Sequence, residues 1–193
     1  MRKQSTIHPM ESEAFKVLRD RSKGTVEFRK ASDTVTQELI DKIPDDLNAK
    51  EDIVLVIILR AGMAFLPAAL RAFPDAKVSV LGLKRDEKTA VAFWYYENIP
   101  PLSKDTTVII LDPMLATGGS AKEAINKLIE EGADAANIHF VGVIAAPEGY
   151  KVLTDLIPKE NVILGAIDEG LDDTKFIVPG LGDYGNRYFG YQD

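Results

Sequence analysis

VIILDPMLATGGSAKEA, residues 108–124, decides how the rest of the chain is read. An apolar run ends in an acid, Asp112. A short loop follows, and a Thr-Gly-Gly-Ser turn at 117–120 opens a helical pattern. Gly118 and Gly119 let backbone N–H groups approach an anion with no Cβ in the way. Thr117 and Ser120 add hydroxyl donors, and the positive end of the following helix points at the same place. Asp112 is positioned to accept hydrogen bonds from sugar hydroxyls. The expected ligand is a phosphorylated sugar. An isolated Gly-Gly turn is often only a strand–helix junction, but here the acid, the hydroxyls and the helix start coincide.

Outward from this unit, short apolar runs alternate with helical patterns. The runs predict strands at 53–59, 77–83, 106–111, 138–144 and 161–167, with helices at 63–73, 120–131 and 148–157. IVLVIIL and TVIIL are apolar throughout, as strands buried on both faces are, so the expected fold class is α/β: an open, mostly parallel sheet flanked by helices. Residues 10–43 read as helical with a break at 22–24, and 44–52 as a polar loop. Ala121, Ala124, Ile125, Leu128 and Ile129 recur at helical spacing. Ser120 and Glu123 suggest a capping box, and Gly132 a stop. TAVAFWYYE at 89–97 reads as an extended arm or hairpin, its aromatics suited to packing or a subunit contact. The glycine-rich tail from Asp168 reads as mostly loop. All of this fits one domain over 1–193.

Composition narrows the function classes. Hydrophobic residues make up 46% and charged residues 27% of 193 residues, an ordinary globular profile. Thirty acids against 23 Lys plus Arg give a net charge of −7, which argues against nucleic acid and anionic membranes as partners. The absence of cysteine removes disulfides, thiolate metal sites and cysteine nucleophiles, and two histidines, His8 and His139, cannot make a histidine-rich metal site. His139, inside IHFVGVI, reads as a core histidine. The longest clean apolar run, 53–59, is far short of a membrane span, and no apolar signal core follows the basic N-terminus, so a cytoplasmic protein is expected.

In an open parallel sheet, ligands gather where strand order reverses, at the carboxyl ends of the strands. Arg60 follows the first strand, Lys84 and Arg85 the second, and Asp112 the third. A fourth loop, 176–183, comes from the tail. Taken singly, Arg60 could be a surface arginine and KRDEK at 84–88 a solvated loop. Gly180-Leu-Gly182-Asp-Tyr-Gly185 matches G-x-G-x-x-G, but too few residues follow to supply the acid of a dinucleotide site, and there is no P-loop.

Together, DPMLATGGSA at 112–121, VIAAPEG at 143–149, AIDEGLDD at 166–173 and FIVPGLGDYGNRYFG at 176–190 closely resemble the uracil phosphoribosyltransferase family. LRAG at 59–62 and KRDE at 84–87 occupy the expected places earlier in the chain, and the resemblance runs from about His8 onward. It implies a type I phosphoribosyltransferase-like fold with a C-terminal base-binding loop region. It also implies transfer of the 5-phosphoribosyl group from phosphoribosyl diphosphate (PRPP) to N1 of uracil, giving uridine monophosphate (UMP) and diphosphate in pyrimidine salvage. By the same resemblance, Ala116, Thr117, Gly118, Gly119 and Ser120 hold the 5-phosphate. Asp112 binds the ribose hydroxyls, with Pro113, Met114 and Leu115 completing the PRPP-binding segment. Arg60 and Arg85 hold the diphosphate. Asp183 faces the ribose and its diphosphate, and the backbone around Ile177, Gly182, Asp183 and Tyr184 reads uracil. Asp183 and Arg85 are the catalytic candidates. Mg²⁺ is expected as cofactor, bound mainly through the diphosphate, with no side chain assigned as its ligand. The expected partners are PRPP and uracil, GTP as an effector to test, and a second copy or more of the chain in a homodimer or homotetramer.

Four departures qualify the resemblance. Pro113 stands where many phosphoribosyltransferases have a second acid, which matches the uracil branch. Tyr184 is bulky where bacterial members usually have a small residue. Lys84 replaces a common tyrosine, and the segment between about 43 and 53 is short, which bears on assembly and regulation. Two other readings stay open at this point: an enzyme of the same fold acting on another base because of Tyr184, and a catalytically silent nucleotide-sensing regulator.

Overall fold

The fold is that of a computed structural model in which residues 10–48, 50–85 and 92–191 are described. In chain order the elements are α1 (Glu13–Arg19), α2 (Thr25–Ile40), α3 (Asp45–Asn48), β1 (Ile53–Leu59), α4 (Leu66–Ala72), β2 (Lys77–Arg85), β3 (Ala92–Asn98), β4 (Thr107–Leu111) and β5 (Met114–Leu115). They continue with α5 (Gly119–Glu130), β6 (Ile138–Ala145), α6 (Pro147–Thr154), β7 (Val162–Ile167), β8 (Gly170–Leu171), β9 (Ile177–Val178) and α7 (Tyr184–Phe189).

The main sheet runs β3-β2-β1-β4-β6-β7, with the short β5 continuing the line of β4 along β6. All its pairings are parallel except that of β3 with β2. Alternation of side chains along the central strands divides the core between the two faces. Leu55, Ile57, Ile109 and Leu111 pack with Phe28, Val35 and Leu39 of α2. Val54, Val56, Val108 and Ile110 pack with Ile125 and Leu128 of α5 and Leu153 of α6. β1, β4 and β6 are buried on both sides, which is why their sequences are continuously apolar. His139 is one of these buried residues; burial pushes its pKa down to about 4, so its imidazole is neutral in the core.

Several boundaries differ from the expectations, each for a local reason. The 63–73 helix is a 3-10 turn at Ala61–Phe65 followed by α4, with Pro67 in the first α-helical turn, where its missing N–H is harmless. The 148–157 helix starts one residue earlier, also on a proline, and ends at Thr154. The 44–52 loop contains α3, whose first turn is acidic and whose Leu47 is buried in the core. No capping box forms at α5. Its N-cap is Gly118, in a left-handed conformation at φ 78°, with no side-chain cap bond, and Ser120 lies inside the helix. β2 extends through Lys84 and Arg85, so KRDEK begins as strand; 86–88 lie outside the described residues. The aromatic arm is β3 from Ala92 onward, antiparallel to β2, and 89–91 lie outside the described residues. The tail holds a β8–β9 hairpin and α7, both of which its glycine content concealed.

β1 pairs with β2 on one side and β4 on the other, so strand order reverses between β1 and β4. Their carboxyl ends lead into LRAG and LDPM, the two segments that open the candidate site. Gly62 makes this junction possible: a Cβ there would collide with the backbone oxygen of Leu111. Gly62→Ala is therefore expected to lower stability by about 1–3 kcal/mol through overpacking against backbone. Equilibrium urea unfolding checks this, and an unchanged midpoint contradicts it.

Candidate active site

The segment after β4 is bonded directly to β6. Asp112 N–H donates to the Val141 carbonyl at 3.2 Å, Val143 and Ile144 N–H both donate to the Pro113 carbonyl at 3.0 Å, and Ala146 N–H donates to the Leu115 carbonyl at 2.9 Å. These bonds make 112–116 a rigid ramp from the sheet to the glycine turn. Gly118 then reverses the chain in the left-handed region that glycine tolerates. It packs so closely on α6 that a Cβ would lie 2.9 Å from that of Val152. Gly149 does the reciprocal job from α6: a Cβ there would come within 2.5 Å of the Ala116 carbonyl oxygen and 2.7 Å of that of Leu115. VIAAPEG is thus the surface against which the phosphate-type turn is moulded. Thr117 Oγ1 accepts from Gly119 N–H at 3.4 Å, tightening the turn, and Ser120 is exposed at the first turn of α5.

A cleft of ≈ 320 Å³ opens beside this turn, at the carboxyl edge of the sheet. Arg60 and Ala61 line it from the end of β1, Met114 and Ala116 from the ramp, and Lys175, Phe176, Ile177, Asp183, Tyr184 and Gly185 from the tail. Three of the four loops expected to approach one another do so. Those carrying Arg60, 114–116 and 176–185 meet in the cleft. Arg85 ends β2 at the same edge of the sheet, but its side chain lies outside the described atoms.

The Arg60 guanidinium lies over the rings of Tyr191 and Phe189, 5.1 and 5.6 Å from their centroids, and Nη2 donates to Asn186 Oδ1 at 3.4 Å. The C-terminal aromatics therefore hold a cation at the cleft wall. Asp183 caps α7, its Oδ1 accepting from Asn186 N–H at 2.7 Å. Gly180 and Gly182, at φ 63° and 82°, shape the loop between β9 and that helix, and the Val178–Pro179 peptide is cis. The residues of the G-x-G-x-x-G match therefore form a turn ahead of a six-residue helix, with no dinucleotide fingerprint around it.

Tyr184 reverses one expectation. It lines the cleft, yet its ring is buried, edge-on to Phe28 at 5.0 Å, with its hydroxyl hydrogen-bonded to Ser32 Oγ of α2. Burial raises its pKa. The bulk that looked like an obstruction beside a base fills the core instead, because residue 184 starts a helix whose inner face meets α2.

Lys175 is the lining residue that motif reading missed. Asp172 folds the intervening turn, its Oδ1 accepting from Thr174 N–H at 2.9 Å, Thr174 Oγ1 at 2.7 Å and Phe176 N–H at 2.9 Å. Lys175 is the described non-glycine residue with positive φ, at 68°, and it adds a cation to the rim. The signal was present in the Asp-Asp-Thr-Lys turn between Leu171 and Phe176.

The arrangement brings two cations, Arg60 and Lys175, the end of the 112–116 ramp and the 176–185 loop around one cleft, with the glycine turn following directly on the ramp. Among the described residues, no group of three His, Asp or Glu side chains could enclose a metal ion, and no helix is long and apolar enough to cross a membrane.

This layout defines a phosphoribosyltransferase of the type I fold. The chain superposes on a purine phosphoribosyltransferase from Pyrococcus horikoshii with a TM-score of 0.52 at 17% identity, covering 70% of this chain and 84% of that one, a likeness of fold alone. Agreement is greater with the AQ2163 protein from Aquifex aeolicus: TM-score 0.83, 32% identity, 96% of this chain and 98% of that one. Residues 44–191 match the uracil phosphoribosyltransferase family. Proteins named uracil phosphoribosyltransferase from Bacillus cytotoxicus and Halalkalibacterium halodurans are 39% and 40% identical, over 95% of this chain and 95% of each relative. The chain belongs to the uracil phosphoribosyltransferase family.

Asp112 gives the site a pH signature. Packed among protein atoms at the end of β4, its carboxyl is pushed up from 3.8 to about 7 by burial, opposed by the Met114 N–H at 3.4 Å from Oδ1. It binds its proton more tightly folded than unfolded. Its contribution to stability is therefore fullest below about pH 4 and is lost as pH rises through 7. Relative to Asp112→Asn, the unaltered, ligand-free protein should lose about 1–3 kcal/mol of stability between pH 4 and 8. Urea unfolding across that range measures it; parallel curves for the two proteins contradict it.

Proposed function

We propose that the chain transfers the 5-phosphoribosyl group of PRPP to N1 of uracil, releasing diphosphate and UMP. The observation that carries this reading is the cleft itself, walled by the ramp to the glycine turn on one side and by the 176–185 loop on the other, in a chain of this family. The packing of the Tyr184 ring against Phe28 in the core favours this reading over one in which its bulk selects another base. The silent-regulator reading has no structural feature in its favour.

The roles follow from charge and geometry. Ala116, Thr117, Gly118, Gly119 and Ser120 would take the 5-phosphate on backbone N–H groups, hydroxyls and the start of α5. Asp112 would accept from the ribose hydroxyls, and Pro113, Met114 and Leu115 would present it. Breaking the C1–O bond leaves positive charge on the ribose and negative charge on the departing diphosphate. Arg60 and Arg85, with Lys175 at the rim, would stabilise the diphosphate, and Asp183 would favour the cationic sugar. The bond from C1 to uracil N1 would form as the N1 proton passes to the Asp183 carboxylate, the acid that lines the cleft. Holding uracil and C1 at contact distance is the orientational part of the rate, worth several kcal/mol in well-fitted sites. Backbone N–H and C=O groups at Ile177, Gly182, Asp183 and Tyr184 would match the alternating edge of uracil. Cytosine would place a donor against a donor there.

Mg²⁺ fits this donor set as a passenger on the diphosphate oxygens, with Asp183 the carboxylate lining the cleft and no protein-built cage among the described residues. It would supply positive charge to the leaving group. A homodimer or homotetramer in the cytoplasm is the proposed working form, with Tyr95 and Tyr96, exposed on β3, available to a second copy.

A steady-state assay with uracil, PRPP and Mg²⁺ tests the reading, and the same assay with GTP tests activation. UMP should form, with cytosine disfavoured by at least about 10³-fold in kcat/KM. Asp112→Asn and Arg60→Ala should each lower kcat/KM by about 10²-fold or more while leaving the circular dichroism spectrum intact. Full activity in both variants would overturn the site assignment.

A further inference from the structure

The base-reading loop is held from behind by a charge pair that no substrate would touch. Asp168 follows β7, and its side chain is only 3% exposed. Arg19, the last residue of α1, meets it in a fork: Nη2 donates to Oδ1 at 2.6 Å and Nη1 to Oδ2 at 2.9 Å. The same two side chains take both backbone polar groups of Gly180. Its N–H donates to Asp168 Oδ2 at 2.8 Å, and its carbonyl accepts from Arg19 Nη1 at 3.1 Å.

Gly180 is the point where the loop turns. It sits at φ 63°, and a Cβ there would collide with the Ile177 carbonyl oxygen. One residue later, the Leu181 carbonyl accepts from Arg187 Nη1 at 2.6 Å. Beyond that, Asp183 is fixed as the cap of α7. The stretch assigned to uracil therefore hangs between two anchors, and the first of them is the Arg19–Asp168 pair.

The geometry points to Arg19 and Asp168 as positioning residues that set the register of the 180–184 backbone and so the affinity for, and choice of, the base. The inference rests on the proposed uracil transfer. A planar fork is required because one guanidinium must reach two carboxylate oxygens and a peptide carbonyl at once. An ammonium in its place keeps the charge but cannot span all three. An uncharged amide in place of the carboxylate puts a donor where one of the N–H groups needs an acceptor. The phosphate turn is anchored separately, on β6 and α6, and Asp183 keeps its own cap bond to Asn186 N–H, so disturbance here should leave the PRPP side in place.

The test compares KM for uracil with KM for PRPP in the unaltered protein, Arg19→Lys and Asp168→Asn, together with the ratio of kcat/KM for uracil over cytosine. Both variants should raise the uracil KM by about tenfold or more. PRPP KM should stay within about twofold, and the uracil-to-cytosine ratio should fall, with Arg19→Lys the milder of the two. If Asp168→Asn fails to fold, Arg19→Lys carries the same comparison. An unchanged uracil KM, or equal rises in both KM values with the base ratio intact, would overturn the positioning role and leave the pair as fold support only. No UMP formation by the unaltered protein would instead overturn the transfer reaction, and this role with it.

Discussion

The structure depends on how closely other chain segments approach the backbone carbonyls of 111–116. Four of those oxygens face a glycine across a gap that admits no methyl group. Leu111 faces Gly62, Asp112 faces Gly142, and Leu115 and Ala116 both face Gly149. The glycines belong to three different segments, the turn after β1, the middle of β6 and the first turn of α6. Each has to be bare for the ramp to lie flat on the sheet. The hydrogen bonds from Asp112, Val143, Ile144 and Ala146 then fix its height. An anion-binding turn is useful only if its N–H groups are already aimed when the ligand arrives. Close packing on three sides provides that aim without a single charged side chain.

Charge is applied sparingly around this neutral frame. The chain as a whole is acidic, yet Arg60 and Lys175 stand at the cleft and Asp112 sits where burial favours its protonated form. A carboxyl whose pKa lies near neutrality changes charge with small changes in what donates to it. Arg60 is held differently, on a platform of two aromatic rings that restrict it without neutralising it. Two cations and one carboxylate, Asp183, thus line the cleft of a chain whose net charge is −7.

The strands and the switch point were legible because burial on both faces leaves no choice but unbroken Val, Ile and Leu, and Ile53–Leu59 and Thr107–Leu111 show it. The glycine turn was legible because its chemistry is local. The elements misread were those whose reasons lie elsewhere in the molecule. α7 has too much glycine and too little length to declare itself, and it is held by Arg187, whose partners are carbonyls of Leu18, Asp20 and Leu181. α3 forms because Leu47 finds the core. The orientation of Tyr184 could not be read at all without knowing that its neighbour in space is Phe28, far away in sequence. Lys175 was hidden in a turn that looked like solvent-facing punctuation.

The inward ring of Tyr184 also separates two kinds of inheritance. A change at 184 alters the volume between α7 and α2, and its natural compensation is a change at Phe28 or Ser32 of α2. Large and small residues are therefore exchangeable at this position where the hydrophobic layer between α7 and α2 is repaired with them. Variation at 184 would then record the history of the core.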